Sequence, residues 1–198
     1  MDTTKRARPF TVVLLTLFAV VALVVASVIA WSTVRDTGET TAAPDTTDIH
    51  LASTYSDDLT RAARRCPTVL TSGRLARYIN EATGWDPNGH SGRFAVAETV
   101  SVAGFSTGMW DAAGGGDPTD TPTAIRHLAD LWCGNAETLT REGVVLDYDV
   151  PAPAHPDDDP HAAALGLAAI FMGMDNVRSG QVPVNHHPVV ADAMRWIL

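Results

Sequence analysis

Two glutamates and a run of aspartates between histidines are the groups in this sequence with the plainest chemical use. Glu81 lies in "NEATGWDPN", Asn80 to Asn88, and Glu98 is the only other glutamate nearby. A carboxylic acid held in a cleft can protonate a leaving oxygen when its surroundings keep it protonated near neutral pH. In "HPDDDPH", His155 to His161, three carboxylates between two imidazoles could hold a divalent ion. They lack the alternating spacing and the glycine of a calcium loop, and adjacent side chains on an extended segment diverge. The prolines fit a surface loop, so no metal is expected there. His186 and His187 precede Pro188, where a turn or a helix start accounts for them. Trp85, Trp110, Trp132 and Trp196 could stack on sugar rings, although tryptophans borne on helices usually belong to a core. There is no nucleophile elbow and no phosphate-binding glycine loop, so neither a nucleophilic enzyme nor a cofactor is expected.

These groups need a scaffold, and the apolar periodicity supplies a helical one. "SDDLTRAARRC" carries acids in its first turn and arginines toward its end, as the helix macrodipole favours. In "TSGRLARYINEATG", Leu75, Ile79 and Ala82 share a face, a serine or threonine can cap the start, and Gly84 can stop the helix. Further helical runs are "ETVSVAGFSTGMWDAA", "TPTAIRHLADLWCGN" with Pro122 at a favoured first position, "PHAAALGLAAIFMGMDNV" and "HPVVADAMRWIL". Only "GVVLDYDV" has a strand-like alternation, so a mainly α domain is predicted over residues 55–198.

Ahead of that domain, Phe10 to Trp31 runs uncharged for about 22 positions, enough to cross a hydrocarbon layer of roughly 30 Å. Residues 10–31 are therefore expected to form a transmembrane helix in the lipid bilayer. Val28-Ile29-Ala30 would suit a signal-peptide cleavage site, but such apolar cores run only about 7 to 15 residues, which favours an uncleaved anchor. Lys5, Arg6 and Arg8 precede the span, so residues 1–9 are expected in the cytoplasm and the rest outside the cell membrane. Residues 32–54, rich in Thr, Asp, Ala and Pro, read as a flexible linker.

The 198-residue chain is 45% hydrophobic, so it can form a buried core, and its net charge of −9 argues against nucleic acid as a partner. Its two cysteines, Cys66 and Cys133, both fall in the outer region, where an oxidising compartment favours one disulfide.

Four segments in order, "CPTVLTSGRLARYINEATGWDPN", "AGFSTGMWDA", "GDPTDTPTAIRHLADLWC" and "LGLAAIFMGMDNVRSG", resemble the lysozyme-like domain of soluble lytic transglycosylases. The resemblance spans roughly Cys66 to Gly180 and includes both cysteines. It implies a lysozyme-like helical fold and peptidoglycan as the substrate class. In that family one glutamate protonates the glycosidic oxygen, and the muramic acid's own 6-hydroxyl closes an anhydro ring.

The match fails where the chemistry resides. Counting back from Trp85, Ala82 stands where the resemblance puts the catalytic glutamate, and Glu81 is one residue early. One residue is about 100° of helix rotation, so Glu81 is expected off the working face as an exposed partner of Arg77. Gly104 replaces the substrate-contacting glutamine, and Ile170 and Phe171 replace a tyrosine and an asparagine. Trp85, Gly104, Trp110 and Ile170 are then the residues expected to border the substrate cleft. The expected function is a membrane-anchored, catalytically degenerate domain that binds peptidoglycan glycan strands or an envelope protein. The alternatives are an active lytic transglycosylase using Glu81 or Glu98, and a structural component of an envelope-spanning assembly.

Overall fold

Helix α1, Ser56–Ala63, forms where the charges suit the dipole: Asp57 and Asp58 lie in its first turn and Arg61 in its last. A computed structural model describes residues 51–86, 92–94, 99–153, 155–180 and 183–198 of the chain. The expected membrane helix at 10–31 and most of the expected linker lie outside these residues. Among the described residues, no helix is long and apolar enough to cross a membrane. The linker's end needs correction, because residues 51–54 are helical and Leu51 and Ala52 pack against the core.

Helix α2, Ser72–Thr83, has the predicted caps. Thr71 accepts a hydrogen bond from the Arg74 N–H at its start, and Gly84 ends it in the left-handed conformation with φ 62°. Among its described residues, the run through "ETVSVAGFSTGMWDAA" is helical only in its last part, α3, Thr107–Ala112. Before it the chain turns sharply at Ser101 to Gly104, closed by an isolated bridge between Thr99 and Ser106. Helix α4, Thr121–Arg141, opens with Pro122 in its first turn. Its Ile125, Leu128, Trp132, Ala136 and Leu139 recur every three or four residues and, with Ala124, are fully buried.

The last long periodic run divides in two. Helix α5, Pro160–Met172, stops at Gly173, whose φ of 83° and ψ of 149° cannot continue a helix, and α6, Met174–Ser179, restarts. After a short 3₁₀ turn, Val184–His186, helix α7, Pro188–Ile197, ends the fold. No strand occurs among the described residues; "GVVLDYDV" is turns and bends, and its Val145 is 78% exposed because no layer faces it. The domain is mainly helical, as expected.

Packing centres on α4 against α5. Residues Ala162 through Ala169 of α5 are all buried, so that stretch is apolar on every side. It comes so close to α4 that a Cβ on Gly166 would stand 2.4 Å from Trp132 Cδ1 and 2.6 Å from the Trp132 carbonyl oxygen. The Trp132 indole N–H donates to the Ala163 carbonyl at 2.9 Å, so burying this ring leaves no donor unpaired. At the exposed end of α4, Arg178 of α6 donates twice to Glu142, at 2.7 and 2.8 Å. Those hydrogen bonds hold the Glu142 carboxyl below its ordinary range.

The predicted disulfide is present: Cys66, just beyond α1, joins Cys133 of α4 with Cα atoms 5.9 Å apart. Its sequence separation of 67 residues corresponds to roughly 4 kcal/mol of lost unfolded-state entropy in the chain-entropy model. Reduction should lower unfolding free energy by about that amount, seen as a lower denaturant midpoint for the reduced chain than for the oxidised one. Gly166→Ala should cost about 1 to 3 kcal/mol through overpacking at Trp132, whereas Gly134→Ala, where a Cβ meets nothing, should not. Equal midpoints for the two variants would contradict the close approach.

Candidate functional site

The inner face of α2 carries Leu75, Ile79 and Ala82, with the last 5% exposed. Glu81, about 100° of helix rotation from Ala82, was expected to be exposed, but its side chain is only partly so. Its partner differs from the expected one. The Glu81 carboxylate accepts from the guanidinium of Arg93 at 3.1 Å, and its side chain is 18% exposed. Arg77 is exposed and is not its partner. The contact arises because residues 92–94 cross the end of α2, where the Phe94 N–H donates to the Glu81 carbonyl at 2.8 Å. Gly92 makes this crossing possible, since a Cβ there would stand 2.2 Å from backbone atoms of Ala82 and Thr83. The spacing of an exposed i, i+4 pair could not foretell a contact from a segment twelve positions on.

Arg93 also places its guanidinium 4.7 Å from the centre of the Trp196 ring, a cation–π arrangement on α7. Phe94 packs edge-on to Phe171, Phe171 lies against Tyr78, and Tyr78 meets Trp132 edge-on, with centroids 5.7, 6.0 and 5.7 Å apart. Burial within this chain of rings raises the Tyr78 phenol above its ordinary value. Phe171, on the segment expected to have lost polar cleft groups, is thus part of the core packing.

Of the residues expected to border a cleft, Trp85 and Trp110 are buried, whereas Gly104 and Ile170 are half-buried. Trp85 is 6% exposed and stacks on Tyr55, with ring planes 6° apart. Trp110 is 3% exposed, lies against Phe105 and His127, and donates its indole N–H to the Gly116 carbonyl. Neither offers a face to a ligand, which corrects the expectation that they line a groove: burying a large aromatic surface outweighs leaving it wet. Gly104, with φ 67°, stands directly over the end of α2, and a Cβ there would meet Ala82 Cβ and Thr83 Cγ2, each at 3.4 Å. The turn is fastened by the Thr83 hydroxyl, which lies 2.6 Å from the Val102 carbonyl oxygen. Ser101 in this turn has φ 112°, and its buried hydroxyl has no hydrogen-bond partner among the described residues. Ile170 is half-buried on α5 and packs against the core. Glu98 lies outside the described residues.

Where the resemblance puts the acid, then, a buried alanine lies beneath a glycine. A general acid must reach the scissile oxygen within roughly 2.6 to 3.2 Å, yet the one described glutamate near this position is engaged by Arg93.

The aspartate run is likewise occupied. Asp158 pairs with the buried Arg74 at 3.7 Å, and Arg74 also donates to the Val69 carbonyl at 2.8 Å. Asp159 caps α5 by accepting from the Ala162 N–H, and Asp157 faces His155 at 3.6 Å. Among the described residues no group of histidine, cysteine and carboxylate side chains could hold a metal ion. His187 stands at the start of α7 with Nδ1 buried and without a hydrogen-bond partner among the described residues. Of the tryptophans from Trp85 onward, only Trp196 is exposed, at 44%.

No family model, no curated protein and no solved structure matches the chain.

Restoring a carboxylate at the expected position tests the closed packing. Ala82→Glu should destabilise the fold by more than about 2 kcal/mol, because it drives a charged group against Gly104 with no partner. A variant as stable as the parent in denaturant unfolding would show an open cleft there instead.

Proposed function

We propose that this chain is a membrane-anchored, extracytoplasmic domain of the lytic-transglycosylase-like type that binds peptidoglycan strands and does not cleave them. The observation that carries this reading is the placement of Gly104 over the buried Ala82, where a Cβ on Gly104 would touch the Ala82 methyl, with Glu81 drawn to Arg93. Two positions that the sequence resemblance assigns to acid and substrate amide are small residues, one lying over the other. The resemblance supplies the substrate class, and the disulfide accords with an oxidising location outside the membrane. Saccharide stacking falls to Trp196, whose exposed ring is backed by Arg93.

Purified full-length chain incubated with insoluble peptidoglycan should be retained in the sediment and release no anhydromuropeptides. Trp196→Ala should lower retention by about tenfold, as expected for loss of an aromatic anchor worth 1 to 2 kcal/mol. Release of anhydromuropeptides that disappears with Glu81→Gln or Glu98→Gln would replace this reading with an active lytic transglycosylase. Absence of retention would leave the structural role in an envelope-spanning assembly.

A further inference from the structure

Residues 51–198 carry ten arginines and no lysine against fourteen aspartates and four glutamates, a net charge of −8. Four of those arginines gather on one groove. Arg61, Arg64 and Arg65 at the end of α1 and Arg126 on α4 line an open depression of about 690 Å³, with Ala62 and Ala129 also in its wall. Such a volume lies within the range of small-molecule sites. Asp58 and Asp130 also line it and pair with Arg61 at 3.2 Å and Arg65 at 3.0 Å. Arg64 and Arg126 have no carboxylate partner among the described residues; Arg126 reaches only the Thr123 hydroxyl, at 3.5 Å. The groove therefore carries two uncompensated positive charges on an acidic domain.

That contrast selects among anions. A long polyanion would meet repulsion from the rest of the surface, whereas a compact dianion matches the local surplus of two. Arginine alone supplies the charge, and its planar fork donates two parallel hydrogen bonds to an oxyanion, which an ammonium cannot do. The walls are held in place, because the Cys66–Cys133 bridge ties the end of α1 to α4. The groove shares no residue with the site around Glu81 and Ala82.

We propose that the groove between α1 and α4 is a binding site for a phosphate dianion, free or as a monoester, held chiefly by Arg64 and Arg126. Neither the fold nor peptidoglycan binding is required to involve it, so it stands or falls separately from the function proposed above.

The oxidised full-length protein should be titrated at neutral pH with inorganic phosphate, with glycerol phosphate and with succinate, following arginine Nε–H signals. Both phosphates should shift the Arg64 and Arg126 signals saturably, with succinate weaker. Preference for glycerol phosphate identifies an ester as the source, and preference for inorganic phosphate identifies the free ion. The double variant Arg64→Gln, Arg126→Gln should weaken binding by about tenfold or more, and Arg77→Gln, outside the groove, should leave it unchanged. Asp130→Asn should tighten binding, because it releases Arg65 from a competing carboxylate. Shifts that do not saturate, an equal response to succinate, or equal losses in the groove and Arg77 variants would overturn the assignment.

Discussion

The structure depends most on the contact between Trp132 and Gly166. A buried indole is the largest apolar side chain a helix can offer, but it must place its N–H and it needs space. Both requirements are met by α5: the Ala163 carbonyl takes the N–H at 2.9 Å, and the missing side chain of Gly166 leaves room for the ring. Close approach of two helices follows, and small residues around Gly166 continue it along α5. The third helix is joined through Tyr78, which meets Trp132 edge-on, and from there the rings of Phe171 and Phe94 carry the packing to the end of α2. The position of residues 92–94, and with it the partner of Glu81, is thus tied to the central helix pair.

This connection explains why the end of α2 is closed. Phe94 can reach Phe171 only if the chain crosses the last turn of α2, and Gly92 allows backbone to lie on backbone there. From the other side the turn at Ser101 to Gly104 is held by Thr83 and rests on Ala82. A carboxylate at position 82 would have to lie in a space enclosed by apolar atoms, while one at position 81 meets a guanidinium. The chemistry available at this point of the fold is therefore decided by one residue of helical phase and by the absence of side chains at positions 92 and 104.

The sequence was most legible where the signal is local. Thr71 and Gly84 delimit α2 because a hydroxyl cap and a left-handed stop act within a few residues, and Pro122 marks the start of α4 for the same reason. The disulfide was legible because only one pairing of two cysteines exists. Apolar periodicity misled in two places. The run before Trp110 is apolar because Val102, Ala103 and Phe105 are buried in a turn, which needs no helical phase. The run through Gly173 looks continuous because apolar content does not record a backbone that leaves helical angles at one glycine. Least legible was Arg93 as the partner of Glu81, since a contact brought about by a crossing loop leaves no mark in the spacing of α2. Nor could spacing show that Trp85 and Trp110 would be enclosed, because that depends on Tyr55 and His127 arriving from other elements.

Loss of a working acid and gain of a well-filled core are, under the proposed reading, the same event. A catalytic cleft in a small helical domain keeps polar groups partly desolvated and an opening where packing could be, and both cost stability. At Ala82, Gly104 and Phe171 this chain has apolar groups where the resemblance would place a carboxylate and two amides: Ala82 is buried, Gly104 lies over it, and Phe171 packs against Tyr78. Under the proposed reading, stability at these positions does not compete with a reaction. Trp132 and Gly166 have no such freedom: enlarging the glycine would separate α4 from α5, and shrinking the tryptophan would leave a void at the meeting point of three helices. The residues that hold this fold together, Trp132 and Gly166, are thus distinct from Ala82 and Gly104, the positions at which the resemblance would place a reaction.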